Sequence, residues 1–239
     1  SMSISSPITL VVAVGGIRRS AIDSSAAAAS RAPAAPSAWP VTPLVETTGT
    51  ARGPNTAVIA DASANAEHIA WDLMSQAEHG PDSQAILVTD SAVLAEAVVE
   101  RVATLAPEST RAAILEQSLA ASRILVVEDT DEAVELSNDY APEHLILNTA
   151  NAEDLAGRVR NAGSVFVGAW TPESLGDYCS GTNHVLPTYG WARSHGALGT
   201  GDFMRRMTFQ SASREALARV GPTAENLSME RNFFSALFL

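Results

Sequence analysis

Short apolar runs alternate with segments of helical periodicity from residue 56 to residue 168, and this alternation constrains the fold most strongly. Each run is nearly all apolar, as a strand buried on both faces requires. Strands that alternate with helices predict an α/β fold: a doubly wound, mostly parallel sheet with helices on both faces. The predicted strands are Thr56–Ala60, Gln84–Thr89, Arg123–Glu128, His144–Asn148 and Ser164–Gly168.

Helices are predicted between these strands. They run from about Asn65 to His79, from Ala92 to Leu105, and then to about Ala121 after a break at Pro107. Thr130 is expected to cap the next helix, because its hydroxyl can accept a hydrogen bond from the first turn. Asn151 is expected to cap the last helix, which Gly163 would end.

The chain is predicted to have three regions. Residues 1–52 form a low-complexity arm, because Ser24–Pro43 is dominated by Ala, Ser and Pro and has few large apolar side chains to offset its ordering entropy. Within this arm, Pro7–Gly16 is predicted to be a short buried strand rather than a targeting segment. Residues 53–200 form the α/β domain, and residues 201–239 form a small helical tail.

Composition excludes several functions. The net charge of -12 disfavours a nucleic-acid partner or an anionic membrane, which would repel the chain. All 15 basic residues are Arg, so no lysine nucleophile or Schiff base is available. Cys179 is the only cysteine, which excludes an internal disulfide and a multi-cysteine zinc site. These features suit a cytoplasmic protein that acts on a small molecule.

The first candidate cluster is Gln76-Ala77-Glu78-His79, at the end of a predicted helix. Gln76 and His79 are three residues apart, so they share a helix face and can converge on one ligand. The alternative is that His79 only interacts with the carboxyl end of the helix dipole.

The second cluster is Ala141-Pro142-Glu143-His144-Leu145, at the start of a predicted strand. Glu143 and His144 can act there as an acid and a base. The alternative is a helix-to-strand connection with a solvated Glu143 and a buried His144.

The third cluster is the glycine-punctuated run from Gly176 to Pro187, which contains Asp177, Cys179, Asn183 and His184. So many polar residues have little reason to occur together for packing alone. A polar surface loop is one alternative. A cysteine hydrolase that uses Cys179 with His184 is another.

In this order, the three clusters resemble the signature of histidinol dehydrogenase, and the resemblance extends from about residue 56 to 222. Segments between and after the clusters also match, including Ala162–Phe166 and Asp202–Arg206. The resemblance implies a zinc-dependent enzyme that oxidises L-histidinol to L-histidine with NAD. It also implies a homodimer.

The resemblance assigns roles to particular residues. It implies that Gln76, His79 and Asp177 bind zinc and, through it, the imidazole and amino groups of the substrate. His144 is then the base that takes the alcohol proton, and Glu143 activates the water that hydrates the aldehyde. His184 is expected to contact the substrate, and Cys179 to serve only in packing.

The chain also departs from the family. It lacks the N-terminal half that contributes most NAD contacts, so the doubly wound sheet is expected to be incomplete and no residue is assigned to NAD. The segment Gly53-Pro54-Asn55-Thr56 is one residue short of a substrate-contacting family motif. The positions of a substrate-binding Glu and a zinc-binding His, donated across the family's dimer, hold Arg231 and Ala236, which suggests a shifted reading frame or a truncated gene.

These departures lead to two expectations. The chain alone should have little or no dehydrogenase activity. The alternative is a non-catalytic remnant that folds and binds zinc or an imidazole ligand.

Overall fold

The computed structural model describes residues 9–12 and 53–230, with side chains for residues 53–227. The chain divides into two compact units, Ser1–Leu198 and Gly199–Leu239. The predicted division into residues 1–52, 53–200 and 201–239 stays a prediction.

The first unit contains a six-stranded sheet in which every pairing of the described strands is parallel. The strands are β1 (Thr9–Val12), β2 (Asn55–Ala60), β3 (Gln84–Thr89), β4 (Arg123–Val126), β5 (His144–Asn148) and β6 (Ser164–Val167). Their order is β1-β4-β3-β2-β5-β6. From the central β2 the chain winds outward one way through β3 and β4, then returns and winds the other way through β5 and β6. The predicted α/β class is confirmed.

The helices of the first unit follow the strands in sequence. They are α1 (Ala66–Ala77), α2 (Ala92–Leu105), α3 (Ala112–Ala121), α4 (Thr130–Tyr140), α5 (Ala152–Ala156) and α6 (Glu173–Tyr178). Short 3-10 turns occur at Ala106–Glu108 and Trp191–Arg193.

Two buried clusters lie on the two faces of the sheet. Val58 of β2 belongs to the cluster that contains Leu73 of α1. Its neighbours Ala57 and Ile59 belong to the other cluster, which contains Val134 of α4. Successive side chains of a strand point to opposite faces, so this division shows that helices cover both sides of β2. That is why the strands read as continuous apolar runs.

Two predicted helix boundaries are wrong. Asp129, not Thr130, caps α4: its Oδ1 accepts a hydrogen bond from the Glu132 main-chain N–H at 2.8 Å. Thr130 is the first helical residue instead. The helix after Asn151 ends at Ala156, well before Gly163, and the Asn151 side chain makes no capping hydrogen bond.

The end of α1 also differs from the prediction. The helix stops at Ala77, and Glu78 is its C-cap. His79 therefore lies just beyond the helix, although its main-chain N–H still donates to Gln76 O at 3.2 Å. Gln76 and His79 do not share the helix face that their spacing predicted, because only Gln76 lies in the helix.

Near the two ends of the described residues lie a strand and a helix. β1 confirms a strand within Pro7–Gly16, but its burial lies outside the described side chains. The second unit contains a 3-10 turn at Thr200–Phe203 and the helix α7 (Arg214–Glu230). Arg231 and Ala236 lie outside the described residues. Among the described helices, none has both the length and the apolar composition needed to cross a membrane.

Candidate functional site

Three predicted site residues meet at the amino edge of the sheet, where β2 and β5 begin. They are Gln76, Glu143 and His144. Thr56 of β2 is the register partner of His144 of β5, and Glu143 directly precedes β5. α1 runs back across the sheet, so its last turn carries Gln76 to the same edge. Sites in open α/β sheets usually lie at the carboxyl ends of the strands, so this placement is unusual.

Asn55 holds Glu143 at this edge. The Glu143 main-chain N–H donates to Asn55 Oδ1 at 3.0 Å, and the Asn55 main-chain N–H donates to Glu143 Oε2 at 3.1 Å. Burial raises the pKa of the Glu143 carboxyl, while the hydrogen bond from Asn55 lowers it. Glu143 is buried rather than solvated, which contradicts part of the structural alternative for the second cluster.

His144 is buried beside Gln76. Its Nδ1 lies 3.2 Å from Gln76 Oε1, which also accepts a hydrogen bond from the Thr56 hydroxyl at 3.0 Å. Burial lowers the pKa of the His144 imidazole to about 4, and the Asp177 carboxylate opposes this shift. The imidazole is therefore neutral at physiological pH and has a lone pair with which to take a proton.

Glu173 is a functional candidate that the sequence interpretation missed. It is only 4% exposed, its Oε2 is 3.0 Å from the Thr56 hydroxyl, and its Oε1 is 3.7 Å from His144 Nδ1. Burial raises the pKa of this carboxyl to about 7, and the Thr56 hydrogen bond lowers it. Its place four residues before Asp177 is a signal that could have found it, because residues one helical turn apart share a face.

The short helix α6 carries both Glu173 and Asp177 against β6. A Cβ at Gly176 would lie 2.6 Å from Cε1 of the Phe166 ring, so only glycine lets α6 approach the ring this closely. The same ring lies 6.0 Å from the His144 ring, centroid to centroid. Close packing on Phe166 thus brings the acidic residues of α6 toward His144.

Asp177 and His184 form a pair near this edge. His184 Nδ1 lies 3.3 Å from Asp177 Oδ1, and the His184 side chain is mostly exposed. The charges of Asp177, His79 and His184 act on the pKa values of both Glu143 and His144. The three residues therefore share the electrostatic environment of the Glu143–His144 couple.

His79 has one ring nitrogen left for a ligand. Its Nδ1 lies 2.8 Å from the main-chain oxygen of Ser75, which can only accept, so Nδ1 carries the hydrogen. Nε2 then has a free lone pair on an exposed side chain. Metal-binding histidines commonly have this arrangement, with a carbonyl holding the other nitrogen.

The donor atoms of the predicted ligands decide whether the chain fits zinc. Within residues 53–227, no three side chains of His, Cys, Asp or Glu are grouped closely enough to hold a metal. The predicted set contains only two such residues, His79 and Asp177, and its third member is the amide of Gln76. One imidazole and two oxygens suit a catalytic zinc site with an open position. The donor types fit zinc, and the assignment stays a prediction.

Cys179 does not pair with the base required by the hydrolase alternative. The thiol is free and exposed, just after α6. His184 directs Nδ1 to Asp177, and no hydrogen bond joins the Cys179 thiol to a histidine among the described side chains. The geometry therefore favours the enzyme with Glu143 and His144 over a cysteine hydrolase.

The carboxyl edge of the sheet does not suit the pyrophosphate of NAD. The turn after β2, residues 61–65, contains no glycine. Asp61 within it accepts a hydrogen bond from the Ala150 main-chain N–H at 2.8 Å, which bridges the ends of β2 and β5. This turn lies where the strand order reverses, with β3 on one side of β2 and β5 on the other. A carboxylate there would repel the phosphates that a helix N-terminus normally attracts.

A cavity of about 420 Å³ opens at the carboxyl edge of the sheet. Trp71, Trp170, Asp72 and Asn148 are among its lining residues, and none of the predicted site residues lines it. The cavity and the predicted site are therefore separate features of the first unit.

Comparison with known proteins gives one consistent family. The family model of histidinol dehydrogenase matches residues 41–235. Histidinol dehydrogenase of Pectobacterium atrosepticum is 51% identical over 171 residues, which cover 72% of this chain and 39% of that protein. The enzyme of Idiomarina loihiensis is 54% identical, with coverage of 72% and 39%.

A solved structure agrees. The crystal structure of histidinol dehydrogenase from Elizabethkingia anophelis superposes with a TM-score of 0.71 at 40% identity. The match covers 76% of this chain and 42% of that structure, so the chain spans about two fifths of the length of its relatives. On the extent of the family match and the level of identity, this chain belongs to the histidinol dehydrogenase family.

Proposed function

We propose that this chain supplies the zinc-binding, substrate-binding and proton-transfer groups of a histidinol dehydrogenase. The reaction is the NAD-dependent oxidation of L-histidinol to L-histidine through histidinal, in cytoplasmic histidine biosynthesis. One observation carries the proposal: Gln76, Glu143 and His144 meet at one edge of the sheet, within the electrostatic reach of Asp177, His79 and His184.

The proposed zinc ligands are Gln76, His79 and Asp177. A zinc ion held by them would supply a positive anchor for the imidazole and amino groups of histidinol and so help to fix the alcohol carbon in place. His184, which is mostly exposed beside Asp177, is positioned to contact the substrate from the solvent side.

The proton chemistry belongs to His144 and Glu143. Because burial lowers its pKa to about 4, the His144 imidazole is neutral and can take the proton of the substrate alcohol. Glu143, whose pKa is raised by burial, can take a proton from the water that hydrates the aldehyde. Asn55 keeps the carboxyl of Glu143 in one orientation for this step.

The turn after β2 does not suit the pyrophosphate of NAD, so no step of the reaction is assigned to this cofactor. The proposal therefore includes little or no dehydrogenase activity for the 239-residue chain alone. Homodimer formation, as in the family, is part of the same proposal.

Zinc titration by calorimetry, with and without histidinol, tests the proposal. We expect the wild-type chain to bind zinc, and zinc to strengthen histidinol binding. Asp177→Asn should weaken zinc binding by about tenfold or more, because it removes a charged ligand. Asp154→Asn, on the exposed side of α5, is the matched control and should bind zinc as the wild type does. Equal zinc affinity in both variants would contradict the ligand assignment.

The second candidate function is a non-catalytic member of the family that binds zinc or an imidazole compound. The absence of a glycine-rich phosphate loop in the turn after β2 favours it. Adding NAD to the zinc- and histidinol-loaded chain separates the two candidates. Even slow NADH formation supports the dehydrogenase if it disappears in His144→Gln, whereas binding with no detectable NADH formation supports the second candidate.

A further inference from the structure

We propose that Glu173 is a positioning residue that keeps the hydrogen of the His144 imidazole on Nδ1, and that the Thr56 hydroxyl holds Glu173 in place. The inference rests on the proposed function, in which His144 accepts the substrate proton. It adds a residue to that site and assigns His144 Nε2 as the accepting atom.

The two side chains face each other in a nearly closed space. The exposed fractions are 9% for the His144 side chain and 5% for the Glu173 side chain. Glu173 reaches His144 with Oε1, at 3.7 Å from Nδ1, and reaches the Thr56 hydroxyl with Oε2, at 3.0 Å. Each carboxyl oxygen therefore has a separate partner.

Two side-chain oxygen atoms lie near Nδ1 of His144. Gln76 Oε1 lies at 3.2 Å and Glu173 Oε1 at 3.7 Å. An unprotonated Nδ1 would place its lone pair against the lone pairs of both oxygens. Nδ1 therefore carries the hydrogen, and Nε2 is left with the lone pair, since the partner of one ring nitrogen sets the state of the other.

Gln76 alone does not secure this tautomer. Its amide group has an oxygen end and an NH₂ end, and turning it over would present donors to Nδ1. Its oxygen is also the atom proposed to bind zinc. Glu173 has no nitrogen, so the oxygen that it presents to Nδ1, 3.7 Å away, favours a hydrogen on Nδ1 by charge whichever way the amide of Gln76 is turned.

Thr56 makes the arrangement tolerant of the protonation state of Glu173. The Thr56 hydroxyl has one hydrogen and lies 3.0 Å from both Gln76 Oε1 and Glu173 Oε2. When Glu173 is ionised, Thr56 can donate to it. When Oε2 carries a proton, Glu173 donates to Thr56 and Thr56 donates to Gln76. In both cases Oε1 carries no hydrogen and faces His144 Nδ1.

Nitrogen NMR of the full 239-residue chain tests this inference, because the shifts of Nδ1 and Nε2 report the tautomer directly. The measurement is made above the Glu173 pKa of about 7, where His144 is neutral. A His144→Gln spectrum identifies the His144 signals. We expect the wild-type imidazole to carry its hydrogen mainly on Nδ1.

Glu173→Met removes the acceptor and keeps a side chain of similar length. The ratio of the Nδ1–H to the Nε2–H form should fall by about fivefold, because the carboxyl oxygen 3.7 Å from Nδ1 no longer attracts its hydrogen. Glu153→Met, at an exposed position of α5, should leave the ratio unchanged. A wild-type His144 with its hydrogen on Nε2, or an unchanged ratio in Glu173→Met, would overturn the inference.

A second pair of variants covers the case in which Glu173→Met does not fold. Thr56→Val keeps the shape of the side chain without the hydroxyl and should shift the ratio in the same direction. Thr56→Ser restores a hydroxyl and should restore the wild-type ratio. If both spectra match the wild type, Thr56 does not hold Glu173. The readout needs neither zinc, histidinol nor NAD, so failure of the proposed function would show separately as lost binding.

Discussion

Asn55 and Glu143 exchange two hydrogen bonds between the starts of two neighbouring strands, with the main chain of each residue donating to the side chain of the other. Asn55 is in turn held by its own amide, which donates to the main-chain oxygen of Gly53 at 2.9 Å. The proposed water-activating carboxyl is therefore fixed by the strand next to its own.

Asn55→Ala should destabilise the chain by about 1–3 kcal/mol, because it leaves the buried main-chain N–H of Glu143 without an acceptor. Urea unfolding measures the loss. Asn151→Ala is the control, since the Asn151 side chain is exposed and makes no capping hydrogen bond. A loss no greater than that of Asn151→Ala would show that the Asn55 pair contributes nothing.

The fold was largely predictable because its strands are buried on both faces. Such strands read as unbroken apolar runs, and the predicted and observed bounds of β2 to β6 differ by at most two residues. Helix ends were less predictable because they depend on single side chains. Asp129 and Thr130 are both good capping residues, and the sequence alone does not show which one adopts the extended backbone.

The site was predictable only in part. The family motifs led to Glu143, His144 and Gln76, which the structure brings to one edge. Thr56 was assigned only to a strand, because its hydroxyl becomes relevant once that strand lies beside β5. Glu173 was missed because an acidic residue is usually exposed, and its burial results from the packing of α6 on Phe166.

Gly163 has a different role from the predicted helix stop. A Cβ there would lie 2.6 Å from the main-chain oxygen of Glu143 and 3.1 Å from Pro187 Cδ. Gly163→Ala should cost about 1–3 kcal/mol, because a main-chain atom of the site has to move. Calorimetric melting measures this cost.

Gly157→Ala is the matched control for Gly163→Ala. Its nearest neighbour would be the main-chain oxygen of Asp154 at an ordinary 3.5 Å, and its φ of -65° suits alanine. The change should be neutral or stabilise the chain by up to about 1 kcal/mol, because it restricts the unfolded chain. Equal melting temperatures for the two variants would contradict the proposed close approach at Gly163.

Tyr140 ties α4 to β3 by a buried hydrogen bond. Its hydroxyl donates to Gln84 Oε1 at 2.9 Å, and burial raises the pKa of the phenol. Tyr140→Phe should cost about 1–3 kcal/mol in urea unfolding, because the buried oxygen of Gln84 loses its donor. Tyr189→Phe, at a residue that is 55% exposed, should change stability by less than about 0.5 kcal/mol. Similar losses in both variants would argue against a role for the buried bond.

The raised pKa of Glu173 predicts how its replacement responds to pH. The folded carboxyl has a pKa of about 7 against an ordinary 4.5, so the folded state holds the proton more tightly than the unfolded chain. The contribution of Glu173 to stability is therefore greatest below pH 4.5, falls as the pH rises to about 7, and is constant above that.

Glu173→Gln removes this titration while keeping a side chain of the same size. Its stability relative to the wild type should rise across the window from pH 4.5 to about 7, by at most about 3 kcal/mol. Asp72, with a pKa raised to about 6, and His144, with a pKa lowered to about 4, titrate in both proteins, so the larger part of their contributions is common to the two. Urea unfolding of both proteins at several pH values, with a chelator present, gives the difference in their free energies of unfolding as a function of pH.

Glu153→Gln, at an exposed site, is the control, and its difference from the wild type should not change with pH. A flat curve for Glu173→Gln as well would mean that the carboxyl ionises normally in the folded chain.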